Sequence, residues 1–121
     1  MPRLLVIEDE LEATNSLKEF FAPHGVEVLT APTGEEGLEL LASEKPELVL
    51  LDLKLGKGLS GLEVLRRAKA SKTQTEFVVI TAVSDRNIAE MAKGLGAAAY
   101  ITKPFSLEAL EHVVLSRLKK T

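Results

Sequence analysis

The chain has no cysteine, no tryptophan, one tyrosine and two histidines. Without cysteine there are no disulfides, no thiolate nucleophile and no Cys-ligated zinc or iron–sulfur site. Two histidines are too few for a His-rich metal centre. His24 lies in a Pro-His-Gly turn and His112 on the last predicted helix, and both read as surface residues. Positive charge is also short, with 15 Lys+Arg against 18 Asp+Glu and a net charge of −3. That balance argues against a general nucleic-acid-coating surface. No apolar run approaches the ~20 residues of a membrane span, and Glu8 cuts the first run far short of a signal peptide. The expectation is a cytoplasmic protein with no direct nucleic-acid binding and no membrane contact.

What is present suits one domain over residues 1–121: 45% hydrophobic and 27% charged residues, ordinary globular proportions. Strand candidates are Leu4–Ile7, Val26–Leu29, Leu48–Leu51, Phe77–Ile80 and Ala98–Ile101, starting 22, 22, 29 and 21 residues apart. Each interval holds one helix and two short loops. Leu48–Leu51 and Phe77–Ile80 are apolar on both faces, as parallel strands covered on both sides require. Val26–Leu29 and Ala98–Ile101 are more polar or smaller and belong at the edges. Thr33-Gly34-Glu35-Glu36 forms a capping box, and Ser106 is an N-cap before a stripe of Leu107, Leu110, Val114 and Leu118. Ile88, Met91, Ala92 and Leu95 form another stripe, while Gly25, Gly94 and Gly96 mark helix ends. Strict β-α alternation predicts a doubly wound α/β domain.

In such a sheet, chemistry gathers at the carboxyl ends of the strands. Those ends read Glu8-Asp9, Asp52, Thr81 and Thr102-Lys103-Pro104. Any one of them suits an ordinary solvated loop, and Glu8 and Asp9 also suit a helix N-terminus. Together they crowd like charges at one rim, which a divalent cation would neutralise. Oxygen ligands without histidine or thiolate point to Mg2+. These residues then fit phosphoryl transfer, in which Asp52 could attack phosphorus and Thr81 and Lys103 would contact the remaining phosphoryl oxygens. Ala82 beside Thr81 leaves space for a phosphodonor.

The sequence resembles the receiver domains of bacterial two-component response regulators over essentially its whole length. The resemblance rests on Glu8-Asp9 after Leu-Leu-Val-Ile, Asp52 after Leu-Val-Leu-Leu, Thr81-Ala82 after Val-Val-Ile, and Tyr100-Ile101-Thr102-Lys103-Pro104-Phe105. It implies a flavodoxin-like five-stranded sheet in the order 2-1-3-4-5. It implies Asp52 as phosphoacceptor, with Mg2+ held by Glu8, Asp9, Asp52 and the backbone carbonyl of Lys54. Thr81 becomes the switch hydroxyl, Lys103 the phosphoryl-binding lysine, Tyr100 the switch aromatic, and the Lys103–Pro104 peptide is cis. Phosphorylation would then shift the face formed by helix four, strand five and helix five. Enzymatic action would be limited to the domain's own phosphorylation and dephosphorylation.

The sequence departs from that pattern in three places. Glu8 replaces the common Asp, and its extra methylene would reach the metal through water. The loop after Asp52 is one residue longer than usual before Gly61 and has Gly56 where proline is common. Lys54 and Val83 stand at positions that line the approach to the phosphoryl group and would tune its lifetime.

Gly56-Lys57-Gly58-Leu59-Ser60-Gly61 matches G-x-G-x-x-G, but about 20 residues on stand Ile80 and Thr81 rather than an acid. A flavin site lacks sandwiching aromatics, and an aspartyl phosphatase needs a second acid where Lys54 stands. The remaining alternative is a phosphorylation-independent interaction module.

The implied partner is a histidine kinase or phosphotransfer protein. It would dock on a helix-one stripe of Leu11, Thr14, Asn15 and Lys18, with Ala13, Leu17 and Phe20 facing the core. Val113 and Leu115 widen the apolar stripe of helix five, for a phosphorylation-dependent dimer or for packing on a neighbouring loop. The sequence accommodates a single-domain monomer or a receiver attached to an output domain or acting on an effector protein.

Overall fold

A computed structural model of the chain describes residues 1–82 and 86–118. Strands β1 (Arg3–Ile7), β2 (Glu27–Ala31), β3 (Leu48–Asp52), β4 (Glu76–Thr81) and β5 (Ala99–Thr102) alternate with helices α1 (Leu11–Phe21), α2 (Gly34–Glu44), α3 (Gly61–Ala70), α4 (Arg86–Gly94) and α5 (Leu107–Leu118). All pairings are parallel, in the order β2-β1-β3-β4-β5, which makes this a flavodoxin-like α/β fold. The predicted edge strands are the observed edges, and predicted strand limits differ from the observed ones by at most two residues.

The period-two alternation of the central strands divides the core into two layers. Leu4, Val6, Leu48, Leu50, Val78 and Ile80 face Leu17 and Phe21 of α1 and Leu110 and Val114 of α5. Leu5, Ile7, Val49, Leu51, Phe77 and Val79 face α2, α3 and α4, meeting Leu41, Val64, Leu65 and Ala92. Full burial of each such side chain contributes roughly 1.5–3 kcal/mol, so both helical layers are needed to hold the sheet.

Local signals set the helix starts. Thr33 and Ser60 cap α2 and α3, their hydroxyls accepting from the Glu36 and Glu63 N–H groups at 3.2 Å each. Ser106 accepts from the Ala109 N–H at 3.1 Å.

The helix faces need correction at several positions. In α1 the buried residues are Thr14, Leu17 and Phe21, so Thr14 leaves the predicted docking stripe and Phe21 replaces Phe20 at the centre. Thr14 tolerates burial because its hydroxyl donates to the Leu11 carbonyl at 2.9 Å. Met91 and Leu107 are exposed rather than core residues. Val113 and Leu115 pack against the α1/α5 core layer. His24 lies 3.3 Å from Glu111 at the surface.

Candidate functional site

Parallel register brings the carboxyl ends of the central strands together, pairing Ile7 with Leu51, Asp52 with Ile80 and Thr81 with Thr102. The residues at or just after these ends are Glu8, Asp52, Thr81 and Lys103. Glu8, Asp52 and Thr81 are buried. Lys103 is set at the rim by its backbone N–H, which donates to the Thr81 carbonyl at 2.7 Å, and its peptide to Pro104 is cis.

The Lys103 ammonium bridges two carboxylates, at 2.9 Å from Glu8 Oε1 and 3.0 Å from Asp52 Oδ2. The other Asp52 oxygen accepts from the Lys54 N–H at 2.9 Å, so both oxygens have donors. Burial pushes the Glu8 carboxyl up to about 7; Lys103 opposes that rise and the Asp52 charge reinforces it. Burial also works against the Lys103 charge, but Glu8 and Asp52 outweigh it and raise the ammonium above its ordinary value. One lysine therefore compensates the acidic pair only in part.

Asp9 is placed differently from the expected convergence. It is exposed, and its Oδ2 accepts from the Gly56 N–H at 3.0 Å. Among the described residues, no three acidic or histidine side chains are already gathered as a metal-binding group. The all-oxygen donor set of Glu8, Asp9 and Asp52 still fits a hard divalent cation, and the incomplete compensation by Lys103 leaves negative charge for one to meet. The sequence reading missed two contacts, the Lys54 N–H on Asp52 and the Gly56 N–H on Asp9.

Gly61 closes the loop beneath Asp52. Its N–H donates to the Leu53 carbonyl at 3.1 Å, and an added Cβ would stand 2.6 Å from the Asp52 carbonyl oxygen. Tyr100 pairs with Val79 in β5 and packs, half-buried, against the α2/α3/α4 core layer. Lys54 is exposed, whereas Val83 lies outside the described residues. Among the described residues, no helix is long and apolar enough to cross a membrane.

Residues 4–115 match the family model of the response regulator receiver domain. The chain is 30% identical over 112 residues to sporulation initiation phosphotransferase F of Bacillus subtilis, covering 93% of this chain and 90% of that protein. It is 38% identical over 109 residues to the transcriptional regulatory protein PdtaR of Mycobacterium tuberculosis, covering 89% of this chain and 52% of that protein. It spans about half the length of the other curated relatives it matches. Among solved structures, the signal receiver domain of a LuxO repressor protein from Vibrio parahaemolyticus superposes with a TM-score of 0.93 at 27% identity, covering 98% of this chain and 91% of that one. The chain belongs to the response regulator receiver domains. It is homologous to phosphorylatable response regulators, which is consistent with a phosphorylation-activated signalling switch and does not favour a phosphorylation-independent module.

Proposed function

We propose that Asp52 is the phosphoacceptor and that Lys103, Thr81 and Tyr100 convert its phosphorylation into a change of the α4–β5–α5 face. The observation that carries this reading is the Lys103 ammonium held against Asp52 Oδ2 at 3.0 Å, where it can pass to a phosphoryl oxygen. An Asp52 oxygen forms the new O–P bond as the P–N bond of a partner's phosphohistidine breaks, and the imidazole keeps the electron pair. Mg2+, held by Glu8, Asp9, Asp52 and the Lys54 backbone carbonyl, would supply positive charge to the phosphoryl oxygens. The Thr81 hydroxyl then turns to a phosphoryl oxygen, and Tyr100 repacks beside it. Phosphorylation thereby biases a two-state equilibrium. Hydrolysis of the O–P bond returns the carboxylate and inorganic phosphate.

Residues 1–121 act as one cytoplasmic receiver domain in this reading. The phosphoryl donor is a histidine kinase or phosphotransfer protein, docking beside α1 at Leu11, Asn15 and Lys18. Leu11 is 72% exposed, as a docking residue must be. The output goes to an attached domain, an effector protein or a second phosphorylated copy.

Beryllium fluoride with Mg2+ tests the switch by NMR, because it mimics a phosphoryl group on a carboxylate. The Thr81 and Tyr100 resonances shift in the wild type and stay still in Asp52→Ala. A wild type that shows no perturbation at either residue restores the phosphorylation-independent module.

A further inference from the structure

The Gly56–Gly61 stretch matches a dinucleotide pattern, yet its glycines serve other contacts. Gly56 donates its N–H to Asp9 Oδ2 at 3.0 Å, joining residues 47 positions apart. A Cβ on Gly56 would stand 2.7 Å from that same oxygen, so the missing side chain is what lets the carboxylate seat on the amide. Two residues on, Gly58 has φ +73° and faces Glu35, whose Oε1 would stand 2.3 Å from an added Cβ. The Leu59 N–H donates to that Glu35 oxygen at 3.3 Å. Carboxylates from two separate segments, one after β1 and one in the first turn of α2, thus fasten the loop at two points.

We propose that Gly56 is a positioning residue: its N–H holds the Asp9 carboxylate, and a Mg2+ ion that takes Asp9 as a ligand draws it off that amide. The inference rests on the Mg2+ assignment above. A cation beside Glu8 and Asp52 competes with the amide for the Asp9 carboxylate, because it offers a full charge against a partial one. Release frees the loop near Gly56, while Glu35 keeps its grip at Leu59. Metal occupancy is thereby read out in the loop that follows Asp52. The parked state also weakens apparent metal affinity, since only the released fraction is ready to bind.

Solvent-exchange rates of the Gly56 and Leu59 amides, measured by NMR on the full chain with and without saturating Mg2+, test the proposal. Mg2+ is expected to speed exchange at Gly56 about tenfold, the loss of one charge-assisted hydrogen bond, and to leave Leu59 unchanged. If the Asp52 and Lys54 resonances respond to Mg2+ while Gly56 exchange does not, the parking role is overturned and the metal assignment stands. If Asp52 and Lys54 do not respond at any Mg2+ concentration, the metal assignment itself fails and the proposal with it.

Gly56→Ala supplies a second readout. Gly56 is not among the positive-φ glycines, so alanine suits its backbone while the new methyl displaces Asp9. The Mg2+ Kd of this variant is expected to fall up to about tenfold, matching the exchange effect. An unchanged or higher Kd contradicts the parking role.

Discussion

The Lys103 ammonium lies 3.0 Å from Asp52 Oδ2, joining residues 51 positions apart in the chain. In the proposed mechanism that ion pair places the lysine at the acceptor before any phosphoryl group arrives. It also assigns Lys103 a second task, since the same ammonium is 2.9 Å from buried Glu8. Loss of the lysine is therefore expected to affect stability as well as the proposed phosphoryl contact.

Lys103→Met keeps an apolar stem but leaves Glu8 and Asp52 without their shared cation. Removing one partner of a buried pair destabilises strongly. The Lys103 side chain is 26% exposed, so water takes over part of its role. The expected loss is about 1–3 kcal/mol, read as a lower urea midpoint for the metal-free protein. A midpoint equal to that of the wild type would show that the bridge contributes nothing to the resting fold.

The Glu8 carboxyl sets a pH dependence of defined sign. Burial raises it from an ordinary 4.5 to about 7, so across that window the folded chain holds a proton that the unfolded chain has lost. Metal-free stability therefore falls as pH rises through the window. The contribution of Lys103 is already fully present there, because its raised folded value lies above an ordinary 10.5. Urea midpoints across the window should decline in the wild type and decline less steeply in Glu8→Gln. Equal slopes would remove Glu8 as the cause.

Gly61→Ala tests the tightness of the turn under Asp52. The added Cβ would fall 2.4 Å from the Leu53 Cα and 2.6 Å from the Asp52 carbonyl oxygen, both backbone atoms that cannot turn aside. An overpacking cost of roughly 1–3 kcal/mol is expected in chemical denaturation, together with slower phosphorylation as Asp52 is displaced. A variant as stable and as readily phosphorylated as the wild type would contradict the close approach.

Phe20 and Phe21 should behave differently although they are adjacent. Phe21 is fully buried between α1 and the sheet, whereas Phe20 only borders that layer. Phe21→Ala should cost about 3–5 kcal/mol, and Phe20→Ala clearly less. Denaturation midpoints of the two variants check the order, and equal losses would place both rings at the centre.

That pair also marks where sequence patterning reached its limit. The sheet was legible because Leu48–Leu51 and Phe77–Ile80 are apolar on both faces, which only a doubly covered strand requires. The rim was legible because each polar residue stands directly after an apolar run. The face of α1 was not, because Thr14 reads as polar and only its hydrogen bond to the Leu11 carbonyl makes burial acceptable. Met91 and Leu107 fit helical stripes yet lie exposed, since spacing alone does not say where a stripe stops being covered. The seat of Asp9 on Gly56 depends on two loops meeting across 47 positions, and no local pattern records that meeting.

The most direct test of the central claim is to locate the phosphoryl group after brief incubation with a small-molecule phosphodonor and Mg2+. Intact mass counts the adducts, and reductive trapping of the acyl phosphate followed by peptide mapping locates them. The account predicts one adduct, mapped to Asp52 and absent from both Asp52→Ala and a metal-free sample. An adduct on another residue, or one that persists in Asp52→Ala, would contradict it.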